Sequence, residues 1–347
     1  MNNCRIKAQT DFLATGKIAL LSFAFLFIFA LLIFAVGCHK SAGQLPVVDG
    51  ESDWQRMGLH GNVSSLSLYE VSWEEDFGRV RVTLPATVDQ STVFCEAGNQ
   101  VESTYYDMNG RPKWKDIFIY DITCEIWSEC ISYRYTNGDD STALPRWSYI
   151  NLYDDYGRIY RVEGYDYDDS GKKLSPASWV HLYEYLVGEG KIVQASYDSN
   201  GTLQWKNISE YDTSARVSSS THYDNAGVMQ WSDKFMYDAK GNRIEWSRYD
   251  SKGSLGWRDV FKYDVNGNEI ECSNYDYRNE LIWKDIYIYI GEDDLDNFNV
   301  NTSTDIENKF DSHGNWIVKM TLEEKQGFGG SFFRVKEIQK RSTTYFP

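Results

Sequence analysis

Basic residues are scarce beside acidic ones in this 347-residue chain: 35 Lys and Arg stand against 51 Asp and Glu, a formal charge of -16. A nucleic-acid binder needs a basic stripe to release the counterions of the phosphates, so the balance excludes that partner. Proline and methionine are sparse, at 6 each. The five histidines, His39, His60, His181, His222 and His313, are scattered without metal-ligand spacing. No Cys-x-x-Cys pair, Gly-x-Ser-x-Gly, phosphate-cradling Gly-rich loop or His-Glu-x-x-His occurs, so no cofactor and no metal is expected. Helical periodicity is missing as well, because no segment between turns keeps a 3.6-residue repeat. What the chain has in plenty is aromatic: 12 Trp, 25 Tyr and 17 Phe. That much apolar area excludes disorder.

The first forty residues address the compartment. Arg5, Lys7 and Lys17 precede an unbroken apolar run from Ile18 to Val36, followed by Gly37 and Cys38. A basic start, an apolar stretch and small residues before a cut make a secretory signal. Ala35-Val36-Gly37-Cys38 resembles a bacterial lipobox, with Ala35 where Leu is usual. The resemblance implies that Cys38 is acylated, for instance with palmitate, and becomes the first residue of the mature chain. The other readings are an uncleaved anchor helix, since ~19–20 apolar residues can span a bilayer, and a plain cleaved signal. In each case the rest of the chain lies outside the cytoplasm, in the cell envelope. The mature charge is -18, the -16 of the whole chain less the net +2 of residues 1–37. Anionic headgroups would repel such a domain, so the lipid must hold it at the membrane. The domain plan is a signal peptide over 1–37, a linker over 38–55 and one β domain over 56–347.

Four cysteines remain in the mature domain: Cys95, Cys124, Cys130 and Cys272. An oxidising compartment permits disulfides. Cys124 and Cys130 are a poor pair if one strand carries both, because six residues of strand span ~20 Å. Beyond that the pairing stays open.

The strongest signal is an internal repeat. Tyr-Asp recurs at Tyr197, Tyr211, Tyr223, Tyr237, Tyr249, Tyr263 and Tyr275, in steps of 14 and 12, so the unit is 26 residues. Trp179, Trp205, Trp231, Trp257 and Trp283 keep the same period, each with a Tyr six residues on. Trp114 with Tyr120 and Trp147 with Tyr153 extend the register upstream. Asp-x-x-Gly follows the Tyr repeatedly, as in Asp198/Gly201, Asp224/Gly227 and Asp250/Gly253. Asp at the first and Gly at the fourth position suit a type I turn. Asn279 stands in for Gly after Asp276 and tolerates the same backbone. Ala215 after Asp212 predicts a distorted turn.

Turns at this spacing predict an all-β chain, a long antiparallel meander after the N-terminal signal or anchor helix. Alternation puts Leu255, Trp257, Asp259, Phe261 and Tyr263 on one side of a strand, and Met229, Trp231, Asp233, Phe235 and Tyr237 on one side of another. One sheet face is therefore an aromatic ladder, with successive tryptophans ~9–10 Å apart. Such a face cannot stay in water over its length. It must curl on itself, as a wrapped sheet or barrel-like shell, or pack against a second layer. A curled or spiralling sheet is favoured, and an open meander would have two edges that permit self-association.

At these residues the chain resembles the YD-repeat (RHS-like) proteins of bacteria, over roughly residues 90–320. The opening Gly58-Leu59-His60-Gly61-Asn62-Val63 and the late Phe310-Asp311-Ser312-His313-Gly314-Asn315-Trp316 resemble the two ends of small YD-repeat lipoproteins. The resemblance implies the strand-turn unit and no catalytic residue. It also implies a surface binding role, with a polysaccharide or an envelope protein as partner.

The candidate ligand-binding residues are Trp205, Trp231, Trp246, Trp257 and Trp283, with Asp233, Asp259 and Asp285 two places after a Trp. Trp and Tyr faces stack on sugar rings, and carboxylates accept from sugar hydroxyls. The bland reading is core packing of the rings, with the carboxylates bonded to Tyr hydroxyls, indoles or backbone. Trp246 and Trp316 break the pattern and are expected to be exposed. The expected function is a non-enzymatic, membrane-anchored binding or scaffold protein. The alternative is a carbohydrate-active enzyme using a pair of these Asp residues. Glu292, Asp293, Asp294 and Asp296 read as a solvated acidic loop rather than a calcium site.

Overall fold

The structure is a computed structural model. It describes residues 52–346 apart from 77–78, 83–86, 122–123, 125, 136–142, 292–297, 299–308 and 328–329. The expected signal segment, Cys38 and the acidic stretch at 292–296 lie outside the described residues.

Among the described residues a single turn of helix, α1 (Asp53–Arg56), precedes twenty strands. These are β1 (Val63–Glu70), β2 (Trp73–Asp76), β3 (Arg79–Val82), β4 (Thr87–Phe94), β5 (Gln100–Tyr106), β6 (Pro112–Tyr120) and β7 (Trp127–Tyr135). Then come β8 (Ala143–Tyr153), β9 (Ile159–Asp166), β10 (Trp179–Leu186), β11 (Lys191–Asp198), β12 (Leu203–Tyr211), β13 (Val217–Asp224) and β14 (Met229–Tyr237). The last are β15 (Arg243–Asp250), β16 (Leu255–Tyr263), β17 (Glu269–Asp276), β18 (Leu281–Ile290), β19 (Val318–Gly327) and β20 (Gly330–Tyr345).

From β4 to β20 every strand pairs antiparallel with the next, for example β9 with β10 and β18 with β19. β1 then pairs with β20 on one edge and β4 on the other. These ladders make one 18-stranded sheet closed on itself. The expected open, curled or spiralling meander with free edges is corrected: the ring is shut, and edges disappear with closure. The β2–β3 hairpin stands apart from the ring.

The turns supply the curvature. At Asp198 the backbone N–H bonds to the Thr202 carbonyl and the Gly201 N–H to the Asp198 carbonyl, both at 3.0 Å. The Asp198 Oδ1 accepts from the N–H of Asn200 and Thr202 at 2.9 Å. Gly201 sits at φ +77°, in the left-handed region. This is a type I turn closed by a bulge. A register shift falls at the Tyr of each ladder from β11–β12 to β17–β18. Each bulge bends its strand and adds right-handed twist, so a repeated bulge curls the whole sheet. Asn279 takes the Gly position at φ +66°. Ala215 does so too, at φ +60°, and the turn keeps its bonds from Ala215 to Asp212 and from Asp212 to Arg216. The distortion expected there is absent: the alanine carries the strain and the turn keeps its shape.

Register fixes the tilt. Trp257 lies opposite Arg248, which lies opposite Asp233, so crossing two strands moves the row by two residues. Two residues rise ~6.6 Å over two strand spacings of ~9.6 Å, a tilt of ~35°. Eighteen strands at that tilt enclose a circumference of ~105 Å, and barrels of about this strand number leave an aqueous channel.

Two apolar clusters anchor the ring, one on each side of the wall. On the outer side Val71, Val80 and Phe298 cover Ile288, Ile290, Val318, Met320, Leu322, Val335 and Ile338. The β2–β3 hairpin thereby packs on β18–β20. On the inner side at one end, Trp54, Met57 and Leu59 pack on Val63, Leu66, Phe94 and Tyr345. The Trp54 indole donates to the Val63 carbonyl at 2.8 Å, and Asp53 Oδ2 accepts from the Gln100 N–H at 2.6 Å. Residues 53–55, expected in the linker, thus belong to the fold. His60 and Asn315, from the two ends singled out by sequence, exchange two bonds at 2.7 and 2.9 Å. A Cys95–Cys124 disulfide ties the loops at this end, and Cys130 and Cys272 are free and buried.

Candidate functional site

The long strands β6, β8, β10, β12, β14, β16 and β18 stack their inward side chains in layers. Nearest one mouth lie Trp114, Trp147, Trp179, Trp205, Trp231, Trp257 and Trp283, a girdle of seven indoles. Two residues deeper stand Asp116, Tyr149, His181, Asn207, Asp233, Asp259 and Asp285. At the far end stand Tyr120, Tyr153, Tyr185, Tyr211, Tyr237, Tyr263 and Tyr289. The ladder registers put all of these on one face.

The tyrosine layer is structural. Tyr237, Tyr263 and Tyr289 donate to the carbonyls of Val217, Arg243 and Glu269 at 2.9, 2.9 and 2.7 Å. Each carbonyl sits two residues before its strand begins pairing with the tyrosine's strand. The hydroxyl therefore satisfies a carbonyl that the ladder leaves free. Burial pushes the Tyr263 phenol up to about 12.

Three carboxylates of this layer have side-chain partners, and they are not the Tyr hydroxyls, indoles or backbone expected; the fourth, Asp116, is half-buried with no hydrogen-bond partner at Oδ1. Asp233 is fully buried and binds the Arg248 guanidinium through two bonds, at 2.8 and 2.9 Å. Arg248 lies among three indoles, 5.3 Å from Trp231, 5.8 Å from Trp246 and 5.4 Å from Trp257. Asp259 accepts from Asn274 Nδ2 at 2.7 Å, and Asp285 from Lys336 Nζ at 2.6 Å. Burial raises the Asp259 carboxyl, with Asn274 opposing the rise. The partner of Asp233 and of Asp259 stands fifteen residues on, and so does His222, whose Nδ1 is 2.7 Å from Asn207 Oδ1. That recurring offset was legible in the sequence as the second half of the repeat, and it identifies Arg248, Asn274 and His222 as site residues.

Flat groups from both long and short strands lie beside several of the rings. His222 stacks on Trp231 with centroids 3.9 Å apart. His181 lies between Trp179 and Trp205, 4.4 and 5.2 Å away. Trp179 lies flat on Gly164, where a Cβ would come within 1.9 Å of the indole. Trp246 was expected to be exposed. It lies half-buried in the inner layer, 4.9 Å from Trp257. Trp316 was expected to be exposed too, and it is half-buried under Arg341, 4.0 Å from its ring.

The ring layer does not close on itself. Trp114, Trp147 and Trp283 are 40%, 41% and 40% exposed although they point inward. Water therefore reaches the lumen at this mouth. The outer wall is built for water: β14 presents Gln230, Ser232 and Lys234, while Lys262 and Lys284 pair with Glu271 at 2.9 and 3.5 Å. A lysine facing lipid at the bilayer centre costs about 2–4 kcal/mol, so this wall does not suit a bilayer.

No family model matches the chain, and no curated protein matches it. Among solved structures it is similar to a porin-like protein from Bacteroides uniformis, at 8% identity over 81% of this chain and 96% of that one, TM-score 0.26. A porin-like protein from Bacteroides vulgatus shares 10% identity over 64% of this chain and 95% of that one, TM-score 0.25. TcdB2-TccC3-TEV shares 10% over 79% of this chain and 18% of that one, TM-score 0.20. Scores this low carry neither a fold nor a function across.

Proposed function

We propose that the protein is a non-enzymatic binding module of the YD-repeat kind, held at the bacterial envelope by a lipid on Cys38, whose Trp-girdled mouth takes a glycan. The observation that carries the reading is the 40% exposure of inward-pointing Trp114 and Trp283 in a water-reached lumen. Large rings left in water inside a concave wall are what a ligand covers. Elsewhere on the girdle, next to Trp231, Trp246 and Trp257, Arg248 is fixed by Asp233 and keeps about a third of its side chain exposed, at 32%. Rings for stacking and anchored polar groups for hydroxyls are the two halves of sugar recognition. The water-facing wall fits a domain tethered by lipid rather than inserted.

The enzyme reading has one observation in its favour, the raised Asp259 carboxyl, which would suit a general acid. Its neighbour Asp233 is fully buried in an ion pair, where no water can reach it for activation.

The test is a glycan array with the full chain in mild detergent, followed by Trp283→Ala and Trp147→Ala. Binding is expected to weaken about tenfold per ring, within the ~1–3 kcal/mol of a lost stacking partner, with the thermal midpoint nearly unchanged. Silence on every polysaccharide removes the sugar reading. Asp259→Asn separates the alternatives, since an enzyme would lose turnover and a binder would not. A Cys38→Ala protein that still incorporates alkyne palmitate in cells removes the lipid assignment.

A further inference from the structure

A second cleft lies away from the girdle, at a seam in the wall. The β19–β20 ladder ends at Val318 opposite Lys340, whereas β20 stays paired with β1 out to Tyr345. The free side of residues 341–345 is met by the turn at Asp311–Trp316, with the Arg341 N–H bonded to the Ile317 carbonyl at 2.7 Å. Between them opens a cleft of about 670 Å³ whose lining includes Asp311, Ser312, Trp316, Lys340, Arg341 and Ser342.

Arg341 is the unusual member. It is 8% exposed, and its Nε and Nη1 have no hydrogen-bond partner. One face of the guanidinium is closed by the Trp316 ring, 4.0 Å away. The nearby Asp311 carboxylate is occupied, because Oδ2 accepts from Thr343 and Tyr345 hydroxyls while Oδ1 accepts from the N–H of His313 and Asn315. A buried charged donor left unpaired is costly. Burial pushes the guanidinium down to about 10, so it remains a cation at neutral pH. Nε and Nη1 point from different edges of the fork, so one oxyanion in side-on geometry cannot take both. Two acceptors on one ligand can.

We infer that this cleft binds an acidic sugar unit, its carboxylate on the Arg341 charge and a ring or hydroxyl oxygen on the second Arg341 donor. The hydroxyls of Ser312 and Ser342 stand within the same lining for the remaining sugar oxygens. The inference deepens the glycan reading by naming a substrate class, and it concerns a site separate from the girdle.

The experiment is a calorimetric titration of the full chain with glucuronate, glucose and acetate. Glucuronate is expected to bind. Glucose and acetate, each lacking one half of the recognition, are expected to bind at least about tenfold more weakly. Arg341→Gln should weaken glucuronate about tenfold or more. Trp283→Ala should leave it unchanged, which separates this site from the girdle. Acetate binding as tightly as glucuronate, glucose matching it, or a folded Arg341→Gln protein with unaltered affinity would each overturn the inference. Loss of glucuronate binding in Trp283→Ala would overturn it as well, by placing the ligand in the lumen.

Discussion

Replacing Arg248 with Met leaves the Asp233 carboxylate, with no exposed surface of its own, facing three indoles and no cation. Breaking one partner of a buried pair costs about 3–5 kcal/mol. Arg248 keeps 32% of its side chain exposed, so the lower end applies, about 3 kcal/mol. Asp233→Leu combined with Arg248→Met should cost clearly less than the sum of the two single changes, because the stranded charge is gone. Arg248→Asn is the internal control. The next repeat holds Asp259 with Asn274 at the same register, so Arg248→Asn should cost only about 1 kcal/mol. Urea unfolding followed by Trp fluorescence measures all four proteins. An Arg248→Met midpoint within error of the parent, or a double variant that is simply additive, would refute the reasoning that the pair is a buried, coupled unit.

Three further expectations follow from single residues. Ala215 holds a left-handed backbone that costs an L-residue about 1–2 kcal/mol, so Ala215→Gly should raise stability by about 1 kcal/mol, and a lower melting point would contradict it. Burial lowers the His181 imidazole from 6.5 to about 4. The unfolded chain then gains a proton that the folded one refuses, so stability drops as pH falls from about 6.5 to about 4 and levels off below. The total is about 3 kcal/mol, and in His181→Phe that part of the acid slope should vanish. Cutting the Cys95–Cys124 link, which spans 29 residues of sequence, should cost about 3–4 kcal/mol, read as the shift in urea midpoint of Cys95→Ser.

The repeat was legible because it is local. A Trp and a Tyr six residues apart, with an Asp-led turn behind them, fix a strand, its face and its turn from one stretch of chain. The turn chemistry carried even to Asn279, and failed only at Ala215, where the bonds of the turn outweigh the cost of the alanine backbone. Ring closure was not legible, since it depends on β1 meeting β20, with Ser67 opposite Ser342. Nothing near Ser67 encodes that partner. The β2–β3 cover was missed as well, although β18 hinted at it: Ile286, Ile288 and Ile290 alternate with Tyr287 and Tyr289, so both faces of that strand are apolar. The site was half legible. Rings and carboxylates were found by period, while Arg248 and Asn274 were overlooked because they sit on the more polar short strands.

Closure is the claim on which the lumen, its mouth and its girdle all depend, and a paired cross-link tests it most directly. Ser67 faces Ser342 on one side and Ser91 on the other. Cysteines introduced as Ser67→Cys with Ser342→Cys should form an intramolecular disulfide in the monomer, as should Ser67→Cys with Ser91→Cys. A Ser67/Ser91 link without a Ser67/Ser342 link would mean a sheet with two open ends and would contradict the account.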